Sequence, residues 1–322
     1  MRLKLVPSLT KWDFFRRSKI TFGASILAMI ASVLLFFIVG LNFGIDFRGG
    51  TTIRTQSTQA VDVGAYRDAL QPLNLGDISI TEVFDPSFGD DQNVAMVRIQ
   101  AQEGDESVSA ATVIAAEAAL QNVDPSITFP SVESVGPKVS GELIQTAIIA
   151  VILAIAAVLF YIWLRFEWQF SVGAVAALVH DIVLTIGIFS VLQIQFDLAI
   201  IAALLTIVGY SLNDTVVVFD RVRENLIKFK KKPMKEVMNL SINETLSRTV
   251  MTSGTTLIAL ISLLVLGGDV IRGFVFAMTW GVIVGTYSSV FVASNILLWL
   301  GTKRDWTKPD ANQGNQFANV DT

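Results

Sequence analysis

The sequence predicts an α-helical membrane protein with six transmembrane helices and one exported α+β domain of the ferredoxin-like βαββαβ type. Three observations carry this. Hydrophobic residues make up 52% of the 322 and charged residues only 16%, above the roughly 45–50% apolar content of an ordinary globular chain. Six runs reach or approach the length of about 20 apolar residues that covers a hydrocarbon core of roughly 30 Å. Between the first two runs, segment 41–140 drops the continuous apolar pattern and alternates strand-like and helix-like stretches.

From the N-terminus, residues 1–19 carry Arg2, Lys4, Lys11, Arg16, Arg17 and Lys19 against Asp13. The apolar run 20–40 is too long for a signal-peptide core and no small-x-small cleavage site follows it, so it reads as an uncleaved anchor with a cytoplasmic start. Segment 41–140 holds five cations (Arg48, Arg54, Arg67, Arg98, Lys138) against fourteen acids and belongs outside, in the periplasm. The loop 220–249 reverses the balance, with eight cations against Asp220, Glu224, Glu236 and Glu244, and belongs inside. The other spans fall at 141–164, 170–191, 198–219, 250–267 and 273–300, followed by a polar tail at 301–322. Six crossings place both termini in the cytoplasm.

Within the exported segment, strands are expected at 51–57, 78–84, 94–99 and 127–135, and helices at 61–70, before Pro72, and 107–120. The turn-rich "DPSFGDDQN" separates the second and third strands. This is the split βαββαβ order, with no catalytic constellation in it, so a binding or moving part is expected. "GIDFRGGT" at the entrance (Arg48, Gly49, Gly50) and "VGPKVSGEL" at the exit (Gly136, Pro137) read as tight turns, or as hinges on which the domain pivots.

There is no cysteine, and the single histidine, His180, lies in an apolar run. No metal site, cofactor or nucleic-acid partner is expected. Without a nucleophile, metal or nucleotide motif, the chain is not expected to be an enzyme.

Polar residues inside the spans are the candidates for function, because a charge at mid-span costs at least about 2.5–3.5 kcal/mol and therefore faces a bundle interior. Asp214 lies about sixteen residues into the fourth span, in its cytoplasmic third at 1.5 Å per residue. His180 and Asp181 interrupt the third span; as helix neighbours they point about 100° apart and are not expected to share a partner. In "SINETLSRTVMTSGTT", Ser241 and Glu244 suggest a capping box opening a helix before the fifth span. That helix puts Arg248, Thr252, Thr255 and Ala259 on one face, with Arg248 at the depth of Asp214. Gly281 and Gly285 in the last span, and Gly209 with Asn213 in the fourth, recur at four-residue spacing and read as close-packing or interhelical bonding positions. Val222, Leu226 and Phe229 in the basic loop read as an amphipathic stretch lying on the anionic inner leaflet, in contact with membrane lipids.

Together, "GIDFRGGT", "VGPKVSGEL", the "HD" at 180–181, "GYSLNDTVVVFDRVREN", "LSRTVMTSGTT" and "GTYSSVFVAS" resemble the SecF family, the smaller subunits of the SecDF complex of bacterial protein export and a branch of the RND superfamily. The resemblance implies an accessory subunit in the bacterial inner membrane that couples the proton gradient to late steps of polypeptide translocation. Its implied partners are SecD, the SecYEG channel and the translocating polypeptide, with YajC as a further candidate. By motif position it makes Asp214 the proton-responsive carboxylate and Arg248 its partner, with Asp181 and His180 in support. A carboxylate beside a guanidinium stays ionised, and one parted from it in apolar surroundings takes a proton. A proton-driven exporter of small molecules or lipids remains the alternative; it needs a pocket among the outer loops, which are very short.

Overall fold

The structure is a computed structural model that describes residues 10–84, 92–100 and 108–302. Arg2, Lys4, the stretch 85–91, the expected helix start at Ser107 and the tail from residue 303 lie outside the described residues.

Six stretches are long and apolar enough to cross a membrane. They are α1 (Ser18–Ile38), α5 (Pro137–Arg165), α6 (Trp168–Leu192), α7 (Leu198–Lys228), α8 (Met234–Leu266) and a broken last span. The last span runs as α9 (Asp269–Ser288), a π-helical turn (Ser289–Ala293) and α10 (Ser294–Leu300). The starts have local causes. Pro137 fills the first turn of α5, where its missing N–H costs nothing. Asp197 caps α7, its side chain accepting from the Ile200 amide at 3.2 Å. Helices α6, α7 and α9 form the interior, while α1, α5 and α8 lie at the periphery.

Between α1 and α5 come the short α2 (Ile45–Arg48), β1 (Gly50–Ser57), α3 (Val63–Leu70), β2 (Ile78–Val83), β3 (Asn93–Gln100), α4 (Ala110–Val123) and β4 (Thr128–Val135). The antiparallel sheet has the order β2-β3-β1-β4, the ferredoxin-like arrangement expected. Ile53 sits opposite Val97 on one side and Val132 on the other. Alternate residues of β1 therefore face opposite ways. Ile53, Val97 and Ile99 join Tyr66, Leu70 and Leu120 of α3 and α4 in a core of their own.

The sheet's other face lies over the α6–α7 and α8–α9 connections and bounds a half-open cavity of about 880 Å³, lined by Arg54, Arg98, Glu133, Asp46, Asp197 and Arg272 among others. Burial beneath the domain pushes the Asp197 carboxyl above its usual range, and neighbouring Asp46 adds to this. Burial also lowers Arg98. The pocket that short outer loops were expected to preclude is thus present, because the sheet supplies its roof.

The entrance differs from a free hinge. Gly49 (φ 73°) and Gly50 (φ 137°) do occupy backbone that favours glycine. However, Phe43, Phe47, Phe189 and Phe196 form an aromatic plug beside them, with centroids about 6 Å apart, and Gly44 N–H donates to Phe196 C=O at 2.8 Å. Gly136 at the exit has φ −74°, which any residue adopts, and passes β4 straight into α5. A second attachment joins the end of β2 to the α8–α9 corner, where Phe84 N–H donates to the Asp269 carboxylate at 2.6 Å and Asp269 N–H to Phe84 C=O at 2.9 Å.

At the opposite, basic end, α7 continues as helix to Lys228 and α8 begins at Met234 after Pro233, so the segment read as a loop is mostly a helical hairpin. Val222 and Leu226 do not lie on a leaflet; they are buried against Val237, Met238 and Ile242 of α8. Nor does the capping box form. Ser241 is inside the helix, donating to Val237 C=O at 2.8 Å, and Glu244 accepts from Asn225 of α7 at 2.8 Å. The N-terminal segment is clamped onto this hairpin: Asn243 accepts from Trp12 N–H at 2.9 Å and donates to Trp12 C=O at 2.8 Å, while Asn239 accepts from Phe14 N–H at 2.9 Å.

Candidate functional site: a polar seam through the helix bundle

Ser211, Asp214 and Thr215 are three and four residues apart, which puts them on one face of α7, and that face is buried. Closeness to α9 is set by glycine: a Cβ on Gly281 would come within 2.4 Å of Ile207, and one on Gly285 within 3.1 Å of Ser211. Both positions are thus the close-contact sites the small-residue pattern predicted.

Asp181 and His180 lie at the centre of this seam, both essentially inaccessible. The two neighbours bond each other, His180 Nδ1 lying 2.9 Å from Asp181 Oδ1. The second oxygen, Oδ2, accepts from Ser211 at 2.6 Å and Ser288 at 2.8 Å. Asp181 therefore ties α6 to α7 and α9 through a fully bonded carboxylate. The His180 ring stacks on Tyr287 with centroids 6.1 Å apart, and Tyr287 donates to Thr21 C=O at 2.9 Å, linking α1 to the same seam.

Asp214, one turn along α7, is bonded differently. Its Oδ1 accepts from Thr249 at 2.5 Å. Its Oδ2 is buried, and no hydrogen-bonding group among the described residues reaches it. Arg248 stands within electrostatic reach of the carboxylate but forms no ion pair with it among the described residues. The neutral neighbour Thr249, not the cation, is the contact. Thr215 bonds Ser289 at 2.8 Å, and Ser289 is the first residue of the π turn. The Ser294 hydroxyl donates to Ser289 C=O at 3.1 Å, adding a side-chain bond across this turn. Turns of this kind recur at functional sites in helices.

Gly209, Asn213, Arg248, Thr252 and Thr255 do not pack within the chain. They are exposed on the neighbouring outer faces of α7 and α8, and the space a Cβ on Gly209 would occupy has no neighbour within 4 Å. The bonding expected of Asn213 and Gly209 is therefore not made within this chain. Thr252 instead donates to its own helix, at Arg248 C=O and Thr249 C=O.

Residues 115–303 match the family described as protein export membrane protein SecD/SecF, C-terminal, and residues 34–61 match the SecD/SecF GG motif. The chain belongs to the SecD/SecF family. Its similarity is to the SecF members: it is 65% identical to the protein translocase subunit SecF of Cereibacter sphaeroides, covering 99% of each chain. It is 40% identical to that of Rickettsia bellii, covering 94% of this chain and 97% of the relative. Among solved structures it resembles SecDF from Thermus thermophilus, a translocon-associated membrane protein, with a TM-score of 0.80 and 34% identity over 93% of this chain. A SecDF crystal structure in the super-membrane-facing form gives a TM-score of 0.68 at 36% identity over 92%. The chain spans 39% of each of those two structures.

Four of the six motifs quoted from the sequence fall on the seam. "HD" supplies its centre, "GYSLNDT" and "LSRTVMTSG" the Asp214 contact, and "GTYSSVFVAS" the two serines and the π turn. Sequence reasoning named Asp214, Arg248, Asp181 and His180 but missed Thr249, Ser211 and Ser288. Those three are hydroxyl residues inside apolar helices, and only the family motifs that contain them marked them out.

Proposed function

We propose that this SecF-family subunit works with SecD and the SecYEG channel to couple a proton gradient to late steps of polypeptide translocation, with its basic end in the cytoplasm and its ferredoxin-like domain outside. The observation that carries the reading is Asp214: a buried carboxylate with one oxygen held by Thr249 and the other unmatched. A carboxylate so placed has room for a proton, whereas Asp181 has every bond filled. Asp214 is accordingly the proton carrier. Arg248, close by but unpaired with it, is the cation that stabilises the ionised form when α8 moves. Asp181 and His180 hold α6, α7 and α9 in register around it. No catalytic chemistry and no cofactor enters.

The exposed polar faces of α7 and α8 support the SecD partnership, since an arginine and an asparagine facing lipid are costly and a second six-helix subunit would cover them. YajC and the exported polypeptide remain proposed partners on the resemblance alone. Gradient-driven work draws on roughly 2.3 kcal/mol per charge per 100 mV, plus the pH difference.

The test is proton flux and export by the Asp214→Asn protein, reconstituted with SecD and the channel. Assembly should persist and gradient-stimulated export should vanish. Normal export in energised vesicles would remove the proton role. The 880 Å³ outer cavity favours a second reading, export of a small molecule; proton flux stimulated by a small solute in vesicles lacking the channel would support it instead.

A further inference from the structure

Where α1 begins and α10 ends, at the basic end, the bundle leaves an open groove of about 460 Å³, within the usual range for a small-molecule site of roughly 300–1,000 Å³. Its walls are Phe22, Ile296 and Leu298, all half-buried against the basic-end core, and the indole of Trp299, which is 85% exposed. Its rim is polar: Ser18, Lys19 and Asn295. Lys19 is exposed, as are Arg16 and Arg17 just before it, and none of the three forms an ion pair among the described residues.

The two halves of this groove ask for different chemistry. Apolar walls opening sideways from a membrane-spanning bundle match an acyl chain, and an indole at the rim is the side chain favoured at headgroup level. Three uncompensated cations beside it match a phosphate without a neutralising amine. We propose that the groove binds one anionic phospholipid of the surrounding leaflet, its phosphate held at Lys19 and one chain lying along Phe22, Ile296 and Trp299. Charge complementarity selects this occupant over a zwitterionic lipid. The site is separate from the Asp214 seam and does not depend on the proton reading.

The experiment uses the full chain co-reconstituted with its SecD partner in phosphatidylcholine vesicles containing either brominated phosphatidylglycerol or brominated phosphatidylcholine. Subtracting the fluorescence of the Trp299→Phe protein isolates quenching at Trp299. Phosphatidylglycerol should quench at about fivefold lower mole fraction than phosphatidylcholine, the scale of one cation at an anionic surface, and Lys19→Gln should reduce that preference towards one while leaving quenching by phosphatidylcholine in place. Equal quenching by both headgroups in the unaltered protein would mean ordinary boundary lipid and overturn the site. Absence of quenching by either would mean that protein, whether the segment beyond residue 302 or a partner helix, fills the groove, and overturns it equally.

Discussion

The Thr249 hydroxyl donates to Asp214 Oδ1 at 2.5 Å, bridging α8 to α7 one residue past Arg248. This bond fixes which carboxylate oxygen is occupied and which is left unbonded. Thr249→Val removes the donor at nearly constant shape and leaves a buried carboxylate with neither oxygen bonded, a loss on the order of 1–3 kcal/mol. Gradient-driven proton flux in reconstituted vesicles should fall by about tenfold or more, and Thr249→Ser should restore most of it. Unchanged flux in Thr249→Val would show that the bond plays no part.

Asp181 should behave as a structural tie rather than a carrier. Asp181→Ala strands the Ser211 hydroxyl, at about 1–3 kcal/mol when buried without a partner, and leaves Ser288 only its bond to Gly285 C=O. Thermal unfolding in detergent should register the loss for Asp181→Ala but hardly at all for Asp214→Asn. Adding Ser288→Ala to Asp181→Ala should cost less than the sum of the two single changes, since they share one bond.

The glycines of α9 and α7 should separate by role. Gly281→Ala drives a methyl into Ile207 and should cost about 1–3 kcal/mol; thermal unfolding of the purified chain measures it. Gly209→Leu meets nothing within the chain, so it should leave that stability intact and instead weaken co-purification with the six-helix partner.

The ferredoxin-like domain should be acid-sensitive. Hydrogen bonds from Ser57 and Ser126 hold the Asp124 carboxyl below the usual range. A carboxyl lowered in the folded state stabilises at pH above its unfolded value, about 3.9, and loses that contribution as the pH falls through the folded value. Amide protection in β1 and α4, corrected for intrinsic exchange, should therefore decline below about pH 4. Asp124→Asn should be less stable at neutral pH and lose little further on acidification.

The βαββαβ domain and the six spans were legible because periodicity and length report burial directly. The basic end was not. Charges on α7 beyond Phe219 read as a loop, although Val222 and Leu226 were burying themselves against α8 all along. The Ser241–Glu244 spacing matched a cap but served two other bonds, because the helix had already begun at Met234. At the site, carboxylates stood out by their cost in an apolar layer. Their hydroxyl partners did not, since serine and threonine return their hydrogen bonds to their own helix cheaply and so leave no mark in composition. The π turn depends on one extra residue per turn, to which a four-residue spacing of small side chains is blind.

Arg248, Asn213 and Thr252 face outwards from α7 and α8. For a copy inserted alone, an arginine entering the apolar layer carries a burden of about 2.5–3.5 kcal/mol on insertion scales. Under the proposed SecD partnership, surplus subunits would display a chemical mark that assembled ones conceal. Membrane quality control could count one subunit against the other from that face alone, without any dedicated degradation signal.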